Sequence, residues 1–434
     1  MLHIERKVLQ YESPDLGIEV AHYALIAHEP KRKILLSHPN LFLYSTTRSS
    51  LKTSSRYSNI ISRFYRFLST EDKFKERDIS EYHAFADNRD IKRWQLSRQE
   101  TRVIKQSTKP TLETTYEDAK IVLFFFNWLN THGYVTNVNV ELKTSIANFK
   151  TDRLLNYIQA KARVTINAKN IRVLEKEARQ SQRRSLINES EIRLYLKCFT
   201  DPVYAVMFKL ALGTAMRPMD LCTTPYIGNG KNRHIMPYSE MNKEPKTFEL
   251  TIYGSKGNKT RTIVVHRDDL KELDEQYIKP HLETRRKKYK ERVGQDCPLS
   301  ILFLNEQGFP VTPEKITSRG NAAKVKAMTL DENFRESVNF YESRHWWPTM
   351  FLIRFFKEDL LSNSADVMWA ACGQALINQM GHDDIKTTFA HYVDMARIVM
   401  LANKGRVTEL ITEAHDGVHA FINQVTSGKL VMGD

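Results

Sequence analysis

Between Arg56 and Leu68 the run RYSNIISRFYRFL places Tyr57, Ile60, Ile61, Phe64, Phe67 and Leu68 at helical spacing, with Arg63 and Arg66 elsewhere on the turn. That period predicts an amphipathic helix with a basic edge. A second helix is predicted over Thr114–Thr131 (TTYEDAKIVLFFFNWLNT), with His132-Gly133 as its stop. Its FFF run reads as core rather than as a platform for stacking bases. Residues 56–150 therefore read as an independent helical domain. Ahead of them, residues 1–55 carry short alternating stretches, GIEVAHYALIAHE and KILLSHPNLFLYSTT, between turn residues. They predict a small strand-containing N-terminal segment with no assigned role.

Residues 151–184 hold nine Lys or Arg against three acids, a basic linker (151–185) that either lies solvated or tracks a phosphate backbone. At Leu186 the pattern changes. INESEIRLYL predicts a capped helix, with Asn188 or Ser190 as the cap, opening a second domain over 186–400. Helical stretches dominate that domain, apart from TFELTIYGSKGNKTRTIVVH, where two alternating runs around a Gly-rich polar turn predict a β-hairpin. A tail, 401–434, holds one amphipathic stretch, VTELITEAHDGVHAFINQV. The chain has no internal repeat of about 20 to 50 residues.

Composition adds a partner class by charge alone. Lys and Arg total 65 against 51 Asp and Glu, a formal charge of +14, which favours a polyanion such as nucleic acid. The cysteines (Cys198, Cys222, Cys297, Cys372) are scattered and predict neither a zinc site nor a disulfide framework. No signal-peptide layout opens the chain, and no apolar run approaches the ~18 residues of a membrane span. The expectation is a soluble, cytoplasmic protein with no membrane partner.

Four segments of the second half carry chemistry. FKLALGTAMRPMDLCTT sets Arg217 after an apolar helix, with Asp220 and Leu221 following. The hairpin turn GSKGNK carries Lys256 and, as an alternative, Lys259. YESRHWWPTMFLIRF carries Tyr341, Arg344, His345 and Thr349. INQMGHDDIKTTFAHYVDMAR carries Gly381, His382, Thr387, Thr388 and Tyr392, with Tyr392 ten residues after His382.

In order, context and spacing these segments resemble the boxes of the tyrosine recombinase (phage integrase) family over about residues 186–395, with a weaker likeness over 56–150. Arg217-x-x-Asp220-Leu221 resembles Arg-x-x-Glu-Leu, with Asp220 in the place of the Glu. The third segment resembles His-x-x-Arg-His-x-x-x-Thr, with Tyr341 where the family has His. The fourth resembles Leu-Gly-His…Thr-Thr…Tyr.

The resemblance implies a mainly α fold with a small antiparallel sheet: a helical core-binding domain plus a tyrosine-recombinase catalytic domain that clamp a DNA duplex. It implies a site-specific recombinase that cleaves and rejoins double-stranded DNA through a 3′-phosphotyrosyl intermediate, for integration or excision of a mobile element. Tyr392 is then the nucleophile, Lys256 the general acid for the leaving 5′-oxygen, and Arg217, Arg344 and His382 the phosphate-stabilising set. Tyr341, a poor base near neutrality, would orient the phosphate or Tyr392, and His345 is the adjacent imidazole that can stand in for the missing His. Neither metal nor nucleotide is expected, since the ester keeps the energy of the broken bond, and the chain has no GxxxxGK[ST] loop or paired-metal carboxylate cluster. The family further implies a homo-oligomer, a tetramer on two DNA sites associated with the nucleoid, with the tail 401–434 exchanged between protomers.

The charge of the reaction explains the residue types. Attack on a phosphodiester builds negative charge on the nonbridging oxygens, which preorganised cations offset best. Guanidiniums meet those oxygens bidentately, which a lysine cannot copy. Two other readings use the same residues: a DNA-relaxing enzyme of the type IB topoisomerase kind, and a sequence-specific binding protein of this fold impaired in catalysis.

Overall fold

The computed structural model describes residues 2–13, 19–30, 32–144, 164–173, 186–357, 359–363, 365–381 and 386–402. The chain divides into two compact units, Met1–Gln182 and Arg183–Asp434. The main elements are numbered below in chain order.

The first unit opens with an antiparallel sheet of β1 (His3–Glu12), β2 (Glu19–His28) and β3 (Lys33–Leu35), in that order, with His3 opposite His28 and Glu12 opposite Glu19. The strand expected over KILLSHPNLFLYSTT stops at Leu35, and Ser37–Thr47 is instead a helix, α1. The reason lies in its buried set, Pro39, Phe42, Leu43 and Thr47, whose period is helical rather than alternating. Asn40 fixes the changeover: its side chain accepts from Leu25 N at 2.7 Å and donates to Leu25 O at 3.0 Å, so it takes the place of a further strand residue.

The predicted helices of this unit are present, as α2 (Leu51–Leu68) and, after α3 (Asn88–Ile104), as α4 (Leu112–Thr131). Ser50 and Thr111 cap α2 and α4 through their hydroxyls. The FFF run is core: Phe125 and Phe126 are fully buried, and Phe124 packs edge-on against Phe42 at 5.5 Å between ring centroids. Ile4, Leu25, Ala27 and Leu36 lie in the same core as Ile60, Phe64, Phe126 and Leu129, so residues 1–55 and the helices after them share one interior. Of the basic stretch, residues 164–173 are described. They form β5 (Val164–Asn167), paired with β4 (Glu141–Thr144), and a 3-10 turn that buries Ala168 and Ile171 in that interior. The rest of the predicted linker, and the tail beyond 402, lie outside the described residues.

The second unit starts where the composition changes. Asn188 is the cap of α5 (Glu189–Cys198): its Oδ1 accepts from Glu191 N, and Glu191 Oε2 accepts from Asn188 N, each at 2.9 Å. The next helix, α6 (Pro202–Thr214), is buried on nearly every side, as its almost unbroken apolar sequence demands. After the short α7 (Pro218–Cys222) comes the predicted hairpin, β6 (Thr247–Ser255) with β7 (Lys259–His266). Then follow α8 (Arg267–Leu273), α9 (Glu283–Val293), α10 (Pro313–Leu330), α11 (Ser343–Phe356), α12 (Ala365–Met380) and α13 (Lys386–Ala402). The hairpin strand β7 packs on α6 and α12, while α11 packs on α6 and α13. This brings four separated chain segments to one end of α6. The molecule is mainly α with small antiparallel sheets, and no helix among the described residues is long and apolar enough to cross a membrane.

Candidate active site

The site is built around the end of α12. A helix leaves its last carbonyls without partners, and they carry the negative end of its dipole. Here three consecutive carbonyls each meet a different arginine from another part of the chain. Gln379 O accepts from Arg261 Nη1, Met380 O from Arg344 Nη2 at 2.5 Å, and Gly381 O from Arg217 Nη2 at 2.9 Å. Gly381 closes the helix with φ +61°, a left-handed conformation suited to a residue without Cβ.

Each arginine is set by its own element. α6 ends at Ala215, itself left-handed with φ +55°, and the turn delivers Arg217 as the residue before α7. Arg217 N donates to Asp220 Oδ2 at 3.2 Å, and Arg217 Nη1 donates to Ser255 Oγ at 3.2 Å. Ser255 Oγ in turn donates to Asp220 Oδ1 at 2.8 Å. Arg344 stands in the first turn of α11, is 1% exposed, and donates from Nη1 to Ala215 O. Burial and the nearby Arg217 lower its pKa to about 10, against the opposing pull of Tyr341 and Tyr392. It is still a cation at neutral pH.

Tyr392, on α13, is 1% exposed. Burial pushes its phenol up to about 12, with Arg344 drawing it down and Tyr341 pushing it up. Its ring centroid lies 6.1 Å from that of His345, which lies 5.8 Å from that of Tyr341. Tyr341 itself is 46% exposed, in the 3-10 turn before α11. Thr349 is buried and donates to His345 O at 2.8 Å, a bond within its own helix.

The structure thus gathers Arg217, Arg344 and Tyr392, with Tyr341 and His345 beside the phenol. Lys256 stands exposed in the hairpin turn, one residue beyond Ser255, and Lys259 is exposed at the start of β7. His382 lies outside the described residues.

Sequence reasoning missed Ser255, Arg261 and Gln379. Arg261 Nη2 donates to Asp220 Oδ2 at 2.6 Å, and its side chain is 8% exposed. Gln379, also buried, accepts from Val264 N at 2.9 Å and donates to Thr214 O at 2.9 Å, tying α12 to β7 and to the end of α6. One signal was present: Arg261 shares the alternation of Ile263 and Val265, so the strand period turns it inward with them.

Chemically, two guanidiniums beside a buried phenol can hold a tetrahedral anion and present a hydroxyl to it. No protein-family model matches the sequence, and no curated protein matches it. Among solved structures, the chain is similar to a Tn1549 transposon integrase in complex with a circular intermediate DNA, with 14% identity over 85% of this chain and 98% of that one and a TM-score of 0.48. It is similar to the XerH site-specific recombinase bound to difH substrate in a pre-cleavage complex, with 14% identity over 86% of each chain and a TM-score of 0.46. A lambda integrase dimer bound to a COC' core site gives 15% identity over 83% of this chain and 95% of that one, with a TM-score of 0.43. These three solved structures are tyrosine recombinases.

Proposed function

We propose that this chain is a site-specific tyrosine recombinase that cleaves and rejoins double-stranded DNA, in the service of integrating or excising a mobile element. The observation that carries the reading is the convergence of Arg217, Arg344 and Tyr392, drawn from the turn before α7, from α11 and from α13, near the end of α12.

The two guanidiniums hold the nonbridging oxygens of one phosphodiester, the charge on which grows during attack. Tyr392 Oη forms a bond to phosphorus, the P–O5′ bond breaks, and the departing oxygen takes a proton from Lys256, whose long exposed side chain reaches the leaving group. His382 donates a further hydrogen bond to the phosphate. The tyrosyl proton passes to His345, the imidazole beside the phenol. A 5′-hydroxyl of a second strand then reverses the chemistry and frees Tyr392. Four protomers on two DNA sites complete the exchange. The +14 charge favours DNA over an uncharged partner.

The test is covalent capture. Purified protein, incubated with nicked duplexes taken from the DNA that flanks its gene, gives a denaturant-resistant protein–DNA adduct. Tyr392→Phe gives none while still shifting the same duplexes in gels. An adduct formed by Tyr392→Phe overturns the nucleophile, and no adduct from the unaltered protein overturns the enzyme reading.

A further inference from the structure

We propose that Arg261 is a positioning residue for strand cleavage: it engages the Asp220 carboxylate so that Arg217 keeps its full positive charge for the phosphate. The inference rests on the recombinase reading and deepens it.

Asp220 is 1% exposed, and a buried carboxylate needs a compensating cation. Arg217, three residues away, is the obvious donor, yet its Nη1 is 3.8 Å from Asp220 Oδ2, beyond hydrogen-bond reach. Their link runs through the Arg217 backbone N–H and through Ser255 Oγ. The short, direct ion pair belongs to Arg261 Nη2, 2.6 Å from that same oxygen. Arg261 resides there at a cost: burial and the Arg217 charge both lower its pKa, and Asp220 is what opposes them.

Charge counting shows what this achieves. Among the described side chains bonded around the end of α12, Arg217, Arg344 and Arg261 are set against one acid, Asp220. With Arg261 and Asp220 neutralising each other, two cations are left to face a phosphodiester whose charge rises from one to two as phosphorus becomes five-coordinate. Without Arg261, Asp220 has Arg217 as its nearest remaining cation, and the phosphate loses part of one fork. The other terminal nitrogen of Arg261, Nη1, donates to Gln379 O, so the same guanidinium also holds the end of α12.

The experiment compares Arg261→Gln with the double variant Arg261→Gln/Asp220→Asn in the full chain, on the nicked duplexes used for covalent capture. Single-turnover adduct formation and duplex affinity are both read. The single variant is expected to slow adduct formation about a hundredfold, the scale of losing one preorganised donor, with affinity changed less than about threefold. The double variant, which removes the unbalanced carboxylate, is expected to return to within about tenfold of the parent. A purely architectural Arg261 predicts a double no faster than the single, since the bond to Gln379 O is lost in both; that result overturns the proposal. Should Arg261→Gln fail to fold, as judged by circular dichroism, the double carries the test alone: a rate within about tenfold of the parent supports the proposal, and any slower rate overturns it. Tyr392→Phe separates the two levels. An adduct there defeats the recombinase reading, whereas a silent Tyr392→Phe beside a fully active Arg261→Gln defeats only the role given to Arg261.

Discussion

Gly381 and Arg261 approach so closely that a Cβ on Gly381 would lie 2.6 Å from Arg261 Cδ and 2.8 Å from its Nη1. The glycine is therefore required twice, once by its φ of +61° and once by the side chain laid across it. Gly381→Ala is expected to cost about 1 kcal/mol of stability from the backbone alone. It also forces Arg261 aside, so adduct formation should fall by about tenfold or more, beyond what the lost stability explains. Thermal melts and single-turnover cleavage check this together. A variant that melts earlier but cleaves at the parental rate would separate Arg261 from the chemistry.

Tyr392 makes a pH prediction. Its phenol, pushed up to about 12, is protonated at neutral pH, so attack requires removal of a proton and adduct formation should quicken from pH 7 to pH 10. A flat or falling profile contradicts this. The same shift bears on stability. Because the folded pKa exceeds the unfolded value of about 10, the contribution of the buried phenol is complete below pH 10 and is lost as pH rises toward 12, to the extent of about 3 kcal/mol. Tyr392→Phe should lessen the alkaline sensitivity of the second unit in denaturant titrations.

Lys256 is exposed on its turn, so Lys256→Ala should leave the melting temperature unchanged. It should slow cleavage of ordinary DNA by about 10²- to 10⁴-fold, the range of a lost general acid. A 5′-bridging phosphorothiolate, whose sulfur leaves without a proton, should restore the rate. A failure to restore it would remove the general-acid role.

In the first unit, His83 lies against His38 with 3.8 Å between ring centroids and 37° between the ring planes. Burial, with His38 second, holds the His83 pKa down at about 4. An imidazole depressed in the folded state contributes stability above the unfolded value of about 6.5 and loses it as pH falls toward 4, by about 3 kcal/mol at most. His83→Phe should flatten the dependence of this unit's stability on pH between 7 and 4, measured by urea titration. An unchanged slope would mean that other groups govern it.

Much of the fold was legible because its helices bury one stripe at a clear period. α2, α4 and α5 and the β6–β7 hairpin lie where periodicity and turn chemistry put them. α1 was misread because the mixed run KILLSHPNLFLYSTT offers both periods, and the choice was made by Asn40 bonding to the distant backbone of Leu25. At the site, Arg217, Arg344 and Tyr392 stood out through their local motifs, and the structure brings them together. Ser255, Arg261 and Gln379 did not, since each matters only through partners 35 to 165 positions away in sequence. No local pattern encodes where the end of α12 comes to rest.

That helix end has a further consequence. Three like charges converge there, and their mutual repulsion is met by backbone carbonyls already held in place by the packing of α12. Crowding the guanidiniums is thus part of the work of folding. Arg217 and Arg344 are held against protein oxygens before any ligand arrives, so their positions are set by the fold.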